Sequence, residues 1–396
     1  LAIPREKVYE MSLELHRRSR GKIAVESKVP VESTDDLSLA YTPGVAEPCR
    51  EIVRNPSSLW EVTSKGNMVL VATDGTAVLG LGDIGPEAAL PVMEGKCVLF
   101  KRFAGVDAFP LCLRTKDPDE FVHVVSLLEP VFGGVNLEDI SAPRCFEIER
   151  KLQERVNIPV FHDDQHGTAV VVLAALSNAL KVVGKRIDQV RIVINGMGAA
   201  GMAIARLLLA AGARNVVGCG RHGVLEEGQN INWAHREILP QLNPEGIRGS
   251  LADALRGADV FVGVSVAGAV KPEWVSAMAP RAVVMAMANP TPEIFPEEAK
   301  SAGAYVVATG RSDFPNQVNN CLGFPGIFRG LLDVRARRVT EGIKLAAARA
   351  IADLVGDQLS PDYIIPSALD PRVAPAVARA VAEQAVKEGV AQVLPQ

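Results

Sequence analysis

Apolar positions along the chain alternate between two rhythms. Residues 67–74 (NMVLVATD) form a β-branched run closed by Asp-Gly, and 107–113 (DAFPLCL) form a second. Between them, ALPVMEGKCVLFKRFAG (89–105) carries apolar residues at helical spacing. DPDEFVHVVSLLEP opens on Asp and Pro, the signature of a capped helix. GGVNLEDI reads as a strand ending in acids, APRCFEIERKLQERV as a helix with Pro near its start, and IPVF as a short buried strand. GTAVVVLAALSNALKVVG (167–184) is almost wholly apolar, so this helix should be buried on most sides.

The second half opens near Asp188. VRIVING is a continuous β-branched run, as expected of a central parallel strand. The helix MGAAGMAIARLLLAAGA and the strand NVVGCG follow. ADVFVGVS (258–265), RAVVMAMANP (281–290) and AYVVATG (304–310) are further strands with helices between them. This βαβ alternation predicts an α/β fold with a doubly wound, Rossmann-like sheet. From Thr340 the chain is Ala-rich and should form helices that pack back on the body. The expected division is 1–160 and 161–396. It puts Asp163 and Asp164 at an interdomain cleft, where ligand sites concentrate.

Composition narrows the classes. The chain has 396 residues, 48% hydrophobic, enough for more than one domain at roughly 100–200 residues each. A net charge of −4 without a basic run argues against nucleic acid and membrane-surface partners. The mean hydropathy of +0.16 comes from Ala, Val and Leu. Charges or glycine interrupt the apolar stretches short of the ~18 residues of a membrane span. The first eighteen residues predict an amphipathic charged helix, not a signal peptide. A soluble cytoplasmic protein is expected. Six scattered cysteines without CxxC spacing predict buried free thiols. His162 and His166 have the i, i+4 spacing of a two-histidine metal site, but they straddle a strand-to-helix boundary and lack HExxH.

Two motifs carry chemistry. Gly196, Gly198 and Gly201 stand in the GxGxxG arrangement between a strand and a helix. Gly196 suits a tight turn, Gly198 close approach of backbone to a pyrophosphate, and Gly201 helix–strand packing. The N–H groups of the opening helix, at Ala199 and Ala200, suit phosphate. The next strand ends in Cys219-Gly220-Arg221-His222, without the acid usual for a ribose 2′-hydroxyl, so Arg221 points to a 2′-phosphate and NADP over NAD. The second motif is acidic. Glu138 and Asp139 follow one strand, Asp163 and Asp164 another. Carboxylates at the ends of neighbouring strands suit a hard ion such as Mg²⁺ or Mn²⁺. Adjacent acids reach one ion only at a strand end or bend. Surface acids or an Asp-Asp helix cap are the competing readings from spacing alone.

Taken together, the blocks resemble the malic enzymes, in particular their short prokaryotic form, over nearly the whole chain. They are LAYTPGVAEPC (39–49), VLGLGDIGPEAALPVMEGKCVLFKRFAGVDA (78–108), GGVNLEDISAPRCFEIE (133–149), FHDDQHGTA (161–169), INGMGAAG (194–201), ANPTPEIFPEEA (288–299) and FPNQVNNCLGFPGIFRG (314–330). The resemblance implies an N-terminal malic-enzyme domain followed by an NAD(P)-binding domain. It implies oxidative decarboxylation of malate to pyruvate and CO₂ with a divalent metal and NAD(P), in a homodimer or homotetramer. It places metal ligands on Glu138, Asp139 and Asp164, and catalytic roles on Tyr41, Lys96 and Asp163. Asn289 falls on an asparagine at substrate or nicotinamide, and Asn320 on one at substrate; Lys101 is nearby but off the motif and reads as a surface residue. Lys96, its pKa lowered by burial and a nearby cation, would take the C2 hydroxyl proton, and Tyr41 would protonate C3 of enolpyruvate. One departure stands out. Longer members carry an arginine before LGLGD that binds a substrate carboxylate, whereas this chain has Thr76-Ala77-Val78. Backbone N–H groups, Thr76 or a neighbouring subunit are left to face the malate C4 carboxylate. The alternatives are another 2-hydroxy-acid dehydrogenase, an oxaloacetate decarboxylase, and, more remotely, a non-catalytic nucleotide-binding module.

Overall fold

Two separate sheets, joined by a largely apolar helix, organise the chain. The computed structural model describes residues 5–78, 80–229 and 231–395. The first sheet contains β1 (Met68–Thr73), β2 (Asp107–Cys112), β3 (Gly134–Leu137) and β4 (Val160–His162), in the order β2-β1-β3-β4 and parallel throughout. Ala72 pairs with Leu137, and Leu137 with His162. The carboxyl ends of β1, β3 and β4 are therefore level, and the residues after them emerge at one edge.

The second sheet holds β5 (Arg191–Asn195), β6 (Asn215–Gly220), β7 (Gly223–Val224), β8 (Val260–Gly263), β9 (Val283–Ala286) and β10 (Val306–Thr309). Its order is β10-β9-β8-β5-β6-β7, parallel except for β7. The chain reverses its direction of winding between β5 and β8, and the glycine loop leaves β5 there. Ligand crevices of open α/β sheets form at such switch points. The two-residue β7 was not expected, because it is too short to leave a periodic signal.

The helix expected over 89–105 runs from Pro86 to Ala104 and stops at Gly105, whose φ of +63° suits glycine. The N-terminal helix spans Arg5–Ser19, and the first four residues of its expected range lie outside the described residues. Helix Thr168–Val183 buries twelve of its residues, as its composition requires. With the turn before it, Asp163–Val183 is long and apolar enough to cross a membrane. However, 72% of its most apolar window is buried inside the protein, as in a core helix.

The main core runs across residue 160. Phe324 and Phe328 of helix Phe324–Asp333 meet Phe100 edge-on at 4.8 and 5.3 Å, and Phe328 also meets Phe161. Asn178 donates from Nδ2 to the carbonyls of Ala352 and Ile364, tying the Ala-rich C-terminal region to the central helix. All six cysteines are free. Cys97, Cys145 and Cys219 are buried, but Cys49 is exposed, a departure from expectation. It lies on helix Ala46–Arg54, which buries no residue.

Candidate active site

The shared sheet edge gathers the acids. β3 ends at Leu137, and Asp139 takes a left-handed φ of +55°. Asp tolerates that region better than most residues, and such conformations concentrate at functional sites. This is the bend the adjacent acids require. Ligand atoms of Glu138, Asp139 and Asp164 lie within 4.8 Å of one another. The Asp139 backbone N–H donates to Asp164 Oδ2 at 2.7 Å. Asn136, buried on β3, donates to Glu138 Oε2 at 2.9 Å. Asp163 and Asp164 open a π-helical turn, Asp163–Gly167, before helix Thr168–Val183. Such turns are rare and cluster at functional sites.

Lys96 reaches this edge from the middle of helix Pro86–Ala104. Its Nζ donates to Asp163 Oδ2 at 2.6 Å and lies 3.0 Å from Glu138 Oε1. It also sits 4.1 Å from the centre of the Phe324 ring. Asn320 donates to the same Asp163 oxygen, and Asp163 Oδ1 has no hydrogen-bond partner among the described residues. Gly167 makes room for this carboxylate: a Cβ there would lie 1.8 Å from Asp163 Oδ1.

Two carboxylates, Asp163 and Glu138, thus hold one ammonium, and Asp139 and Asp164 lie beside Glu138. Burial pushes the Glu138 carboxyl well above its ordinary range. Lys96 opposes the shift, and Asp164, Asp163 and Asp139 reinforce it. Asp163 is raised as well, chiefly by burial, against Lys96. Burial would also raise Asp164, but His162, Lys96 and the Asp139 N–H bring it below the ordinary value. Burial would lower Lys96, yet Asp163 and Glu138 outweigh it and hold the proton on. Of the two causes expected to lower the Lys96 pKa, burial acts in that direction, and the neighbouring carboxylates act against it. Buried carboxylates in excess of their counter-charges are costly. An all-oxygen anionic donor set of this kind fits a hard divalent ion.

The glycine loop has the geometry its spacing requires. Gly196 has φ +101°, and a Cβ there would come 2.4 Å from the Val264 carbonyl oxygen. A Cβ on Gly198 would meet nothing within 4 Å, which leaves the loop open to a ligand. One on Gly201 would lie 2.0 Å from the Gly196 carbonyl oxygen. Ala199 and Ala200 open helix Ala199–Ala210. Gly220, Arg221 and His222 line a cleft of ≈ 590 Å³ together with Gly196, Ser265 and Trp274.

Other candidates are not gathered here. Tyr41 is 68% exposed, and among the described residues no hydrogen bond joins its hydroxyl to the cluster. Asn289 is exposed, beside the cis Asn289–Pro290 bond. Lys101 is exposed and pairs with Asp107 at 2.7 Å. His162 and His166 form no two-histidine site. His162 Nε2 lies 3.3 Å from Asp164 Oδ2, while His166 meets Glu149 at 2.9 Å. Thr76 is buried, and its hydroxyl accepts from Arg144 Nη2 at 2.8 Å; that guanidinium also pairs with Asp74 at 2.7 Å. Asn136, Arg144 and Glu149 carry no sequence signal of a role at the site, because their partners are distant in sequence or arrive through the sheet.

Residues 20–153 match the family model of the malic enzyme N-terminal domain, and 165–386 that of the malic enzyme NAD binding domain. A bifunctional malic/malolactic enzyme of Bacillus subtilis (strain 168) is 58% identical over 97% of this chain and 94% of its own length. An NAD-dependent malic enzyme of Geobacillus stearothermophilus is 56% identical over 94% of this chain and 78% of its own. An NADP-dependent malic enzyme of Escherichia coli (strain K12) is 50% identical over 94% of this chain, which spans 51% of that longer protein. The crystal structure of a malic enzyme from Pyrococcus horikoshii Ot3 superposes with a TM-score of 0.94 at 51% identity, covering 98% of this chain and 92% of its own. The two models account for most of the chain and the relatives for nearly all of it: the chain belongs to the malic enzyme family of NAD(P)-dependent enzymes.

Proposed function

We propose that this chain converts malate to pyruvate and CO₂ and reduces NADP in preference to NAD, with Mg²⁺ or Mn²⁺ held by Glu138, Asp139 and Asp164. The observation that carries the reading is the meeting of these three acids with Lys96 and Asp163 at one sheet edge. When bound, a divalent cation supplies Lewis-acid polarisation of the substrate's C2 oxygen and cancels part of the charge that keeps Lys96 protonated. The loop Gly196–Gly201 would hold the pyrophosphate of the dinucleotide, whose nicotinamide would supply the hydride acceptor. Lys96 exchanges a proton with the C2 oxygen through Nζ. Asp163 orients that ammonium, and Asn320 holds Asp163 while taking part in binding substrate. Asn289 is proposed to contact substrate or nicotinamide.

Tyr41 is proposed to protonate C3 of the enol product. It lies in a segment, residues 6–50, with no buried side chain, although Val8, Met11, Leu13, Leu15 and Leu39 of that segment are exposed apolar residues. Apolar surface of this kind favours association. It supports a homodimer or homotetramer in which this segment is covered, and Tyr41's role depends on how the segment seats. The preference for NADP is supported by Gly220 and Arg221 at the cleft, which has no acid among its described lining residues.

A malate assay with NADP and with NAD, each with and without EDTA, tests the reading. Pyruvate and reduced cofactor should form one to one, faster with NADP, and stop when the metal is chelated. Turnover that survives chelation removes the metal assignment. Reduced cofactor without pyruvate makes the chain a simple 2-hydroxy-acid dehydrogenase.

A further inference from the structure

The turn that presents Asp163 and Asp164 is gripped from behind by one buried carboxylate. Glu149 lies on helix Arg144–Arg155 and is 7% exposed. It accepts from the His162 backbone N–H at 3.1 Å, from Gln165 Nε2 at 3.2 Å and from His166 Nε2 at 2.9 Å. These donors flank the acid pair on both sides, while Asp163 and Asp164 face Lys96 and the Asp139 N–H. We propose that Glu149 is a positioning residue that fixes this π-helical turn and thereby sets the divalent-cation affinity of Glu138, Asp139 and Asp164 without touching the ion. The inference rests on the metal reading above.

The direction of the hydrogen bonds makes the carboxylate specific. Lys344 Nζ, from helix Glu341–Asp353, lies 3.3 Å from His166 Nδ1. An ammonium only donates, so Nδ1 accepts, and the ring proton sits on Nε2 facing Glu149. Three donors therefore converge on Glu149, and an ionised carboxylate, which only accepts, is the side chain that satisfies them all. Burial would raise this carboxyl, but His166, His162 and Lys344 bring it down to about 2. An amide would set its own N–H₂ against a donor and release one end of the turn. Groups that orient metal ligands in this way are typically worth ~10–100-fold in metal affinity.

The test is Mn²⁺ binding followed by EPR, alongside NADPH binding followed by fluorescence, on the full chain, Glu149→Gln and Asp164→Asn. The native chain should bind Mn²⁺ and Asp164→Asn should lose it. Glu149→Gln should bind Mn²⁺ about 10-fold more weakly or worse, with NADPH affinity within about twofold of native. If the native chain takes up no Mn²⁺, the metal reading fails and takes this inference with it. If native and Asp164→Asn behave as stated but Glu149→Gln binds Mn²⁺ like native, only the role of Glu149 is overturned. Parallel loss of Mn²⁺ and NADPH binding also overturns it, because that is what general loosening of the fold would produce. Should Glu149→Gln fail to fold, Lys344→Met carries the same two readouts: weaker Mn²⁺ with intact NADPH binding supports the role, and native Mn²⁺ affinity refutes it.

Discussion

Gly167→Ala sets two local effects against each other. Gly167 has helical dihedrals (φ −63°, ψ −46°) at the start of helix Thr168–Val183, where Ala is the better helix former by about 1 kcal/mol. On propensity alone the substitution would stabilise. The new Cβ, however, would sit 1.8 Å from Asp163 Oδ1, whereas real Cβ contacts almost never fall below 3.0 Å. The carboxylate must therefore retreat by about 1 Å, a misplacement that can cost ~10²-fold in rate. It has no free direction: Asp163 is fully buried, and its other oxygen is held by Lys96 and Asn320. Loosening the charged hydrogen bond to Lys96 costs about 1.5–3 kcal/mol, more than helix propensity returns. We expect kcat for malate oxidation to fall ~10²-fold and the melting temperature to fall slightly. Steady-state NADPH formation and a thermal melt read both. A variant with native kcat and a raised melting temperature would refute the argument, because it would show that Asp163 need not stay where the structure puts it.

Other predictions follow from the same geometry. Lys96→Ala should cut malate turnover by at least the ~10²-fold typical of losing an acid–base group, and near-native turnover would remove Lys96 from the chemistry. Arg221→Ala should lower kcat/KM for NADP about tenfold or more, as for a charged contact to phosphate, and leave NAD nearly unchanged; an equal fall with both cofactors would contradict the 2′-phosphate assignment. Away from the site, burial would raise the Asp107 carboxyl, but Lys101, Lys28 and Asn67 bring it down to about 2. A depressed carboxyl stabilises the fold above its unfolded pKa of about 3.9 and loses that contribution as pH falls from there towards 2. Asp107→Asn should therefore cost about 1 kcal/mol at neutral pH after solvent screening, and the difference should shrink below about pH 4. A difference that does not change with pH would show that the ion pairs are not its source.

Some of this was legible in the sequence because it rests on local pattern. VRIVING announces β5, since a central parallel strand is buried on both faces and needs no polar alternation. The three glycines of the loop also carry their roles in their spacing, and the structure gives Gly196, Gly198 and Gly201 the expected surroundings. The acids were visible as residues, but not the bend that unites them: the positive φ of Asp139 leaves no mark on the pattern of LEDI. HDDQHG reads equally well as an ordinary helix cap, so the π-helical turn was hidden. The surroundings of Lys96 leave no local mark either, because Glu138, Asp163 and Phe324 reach it from three other elements. Glu149 was invisible for a similar reason: its partners lie 13 to 17 residues away, across a strand and a turn.

The most direct test of the central claim is an equilibrium titration of the purified chain with Mn²⁺, read by EPR, for the native protein and Asp164→Asn. The geometry of Glu138, Asp139 and Asp164 predicts one ion per chain, displaced by Mg²⁺, and a large loss of affinity in the variant. An Mn²⁺ dissociation constant unchanged by Asp164→Asn would contradict it.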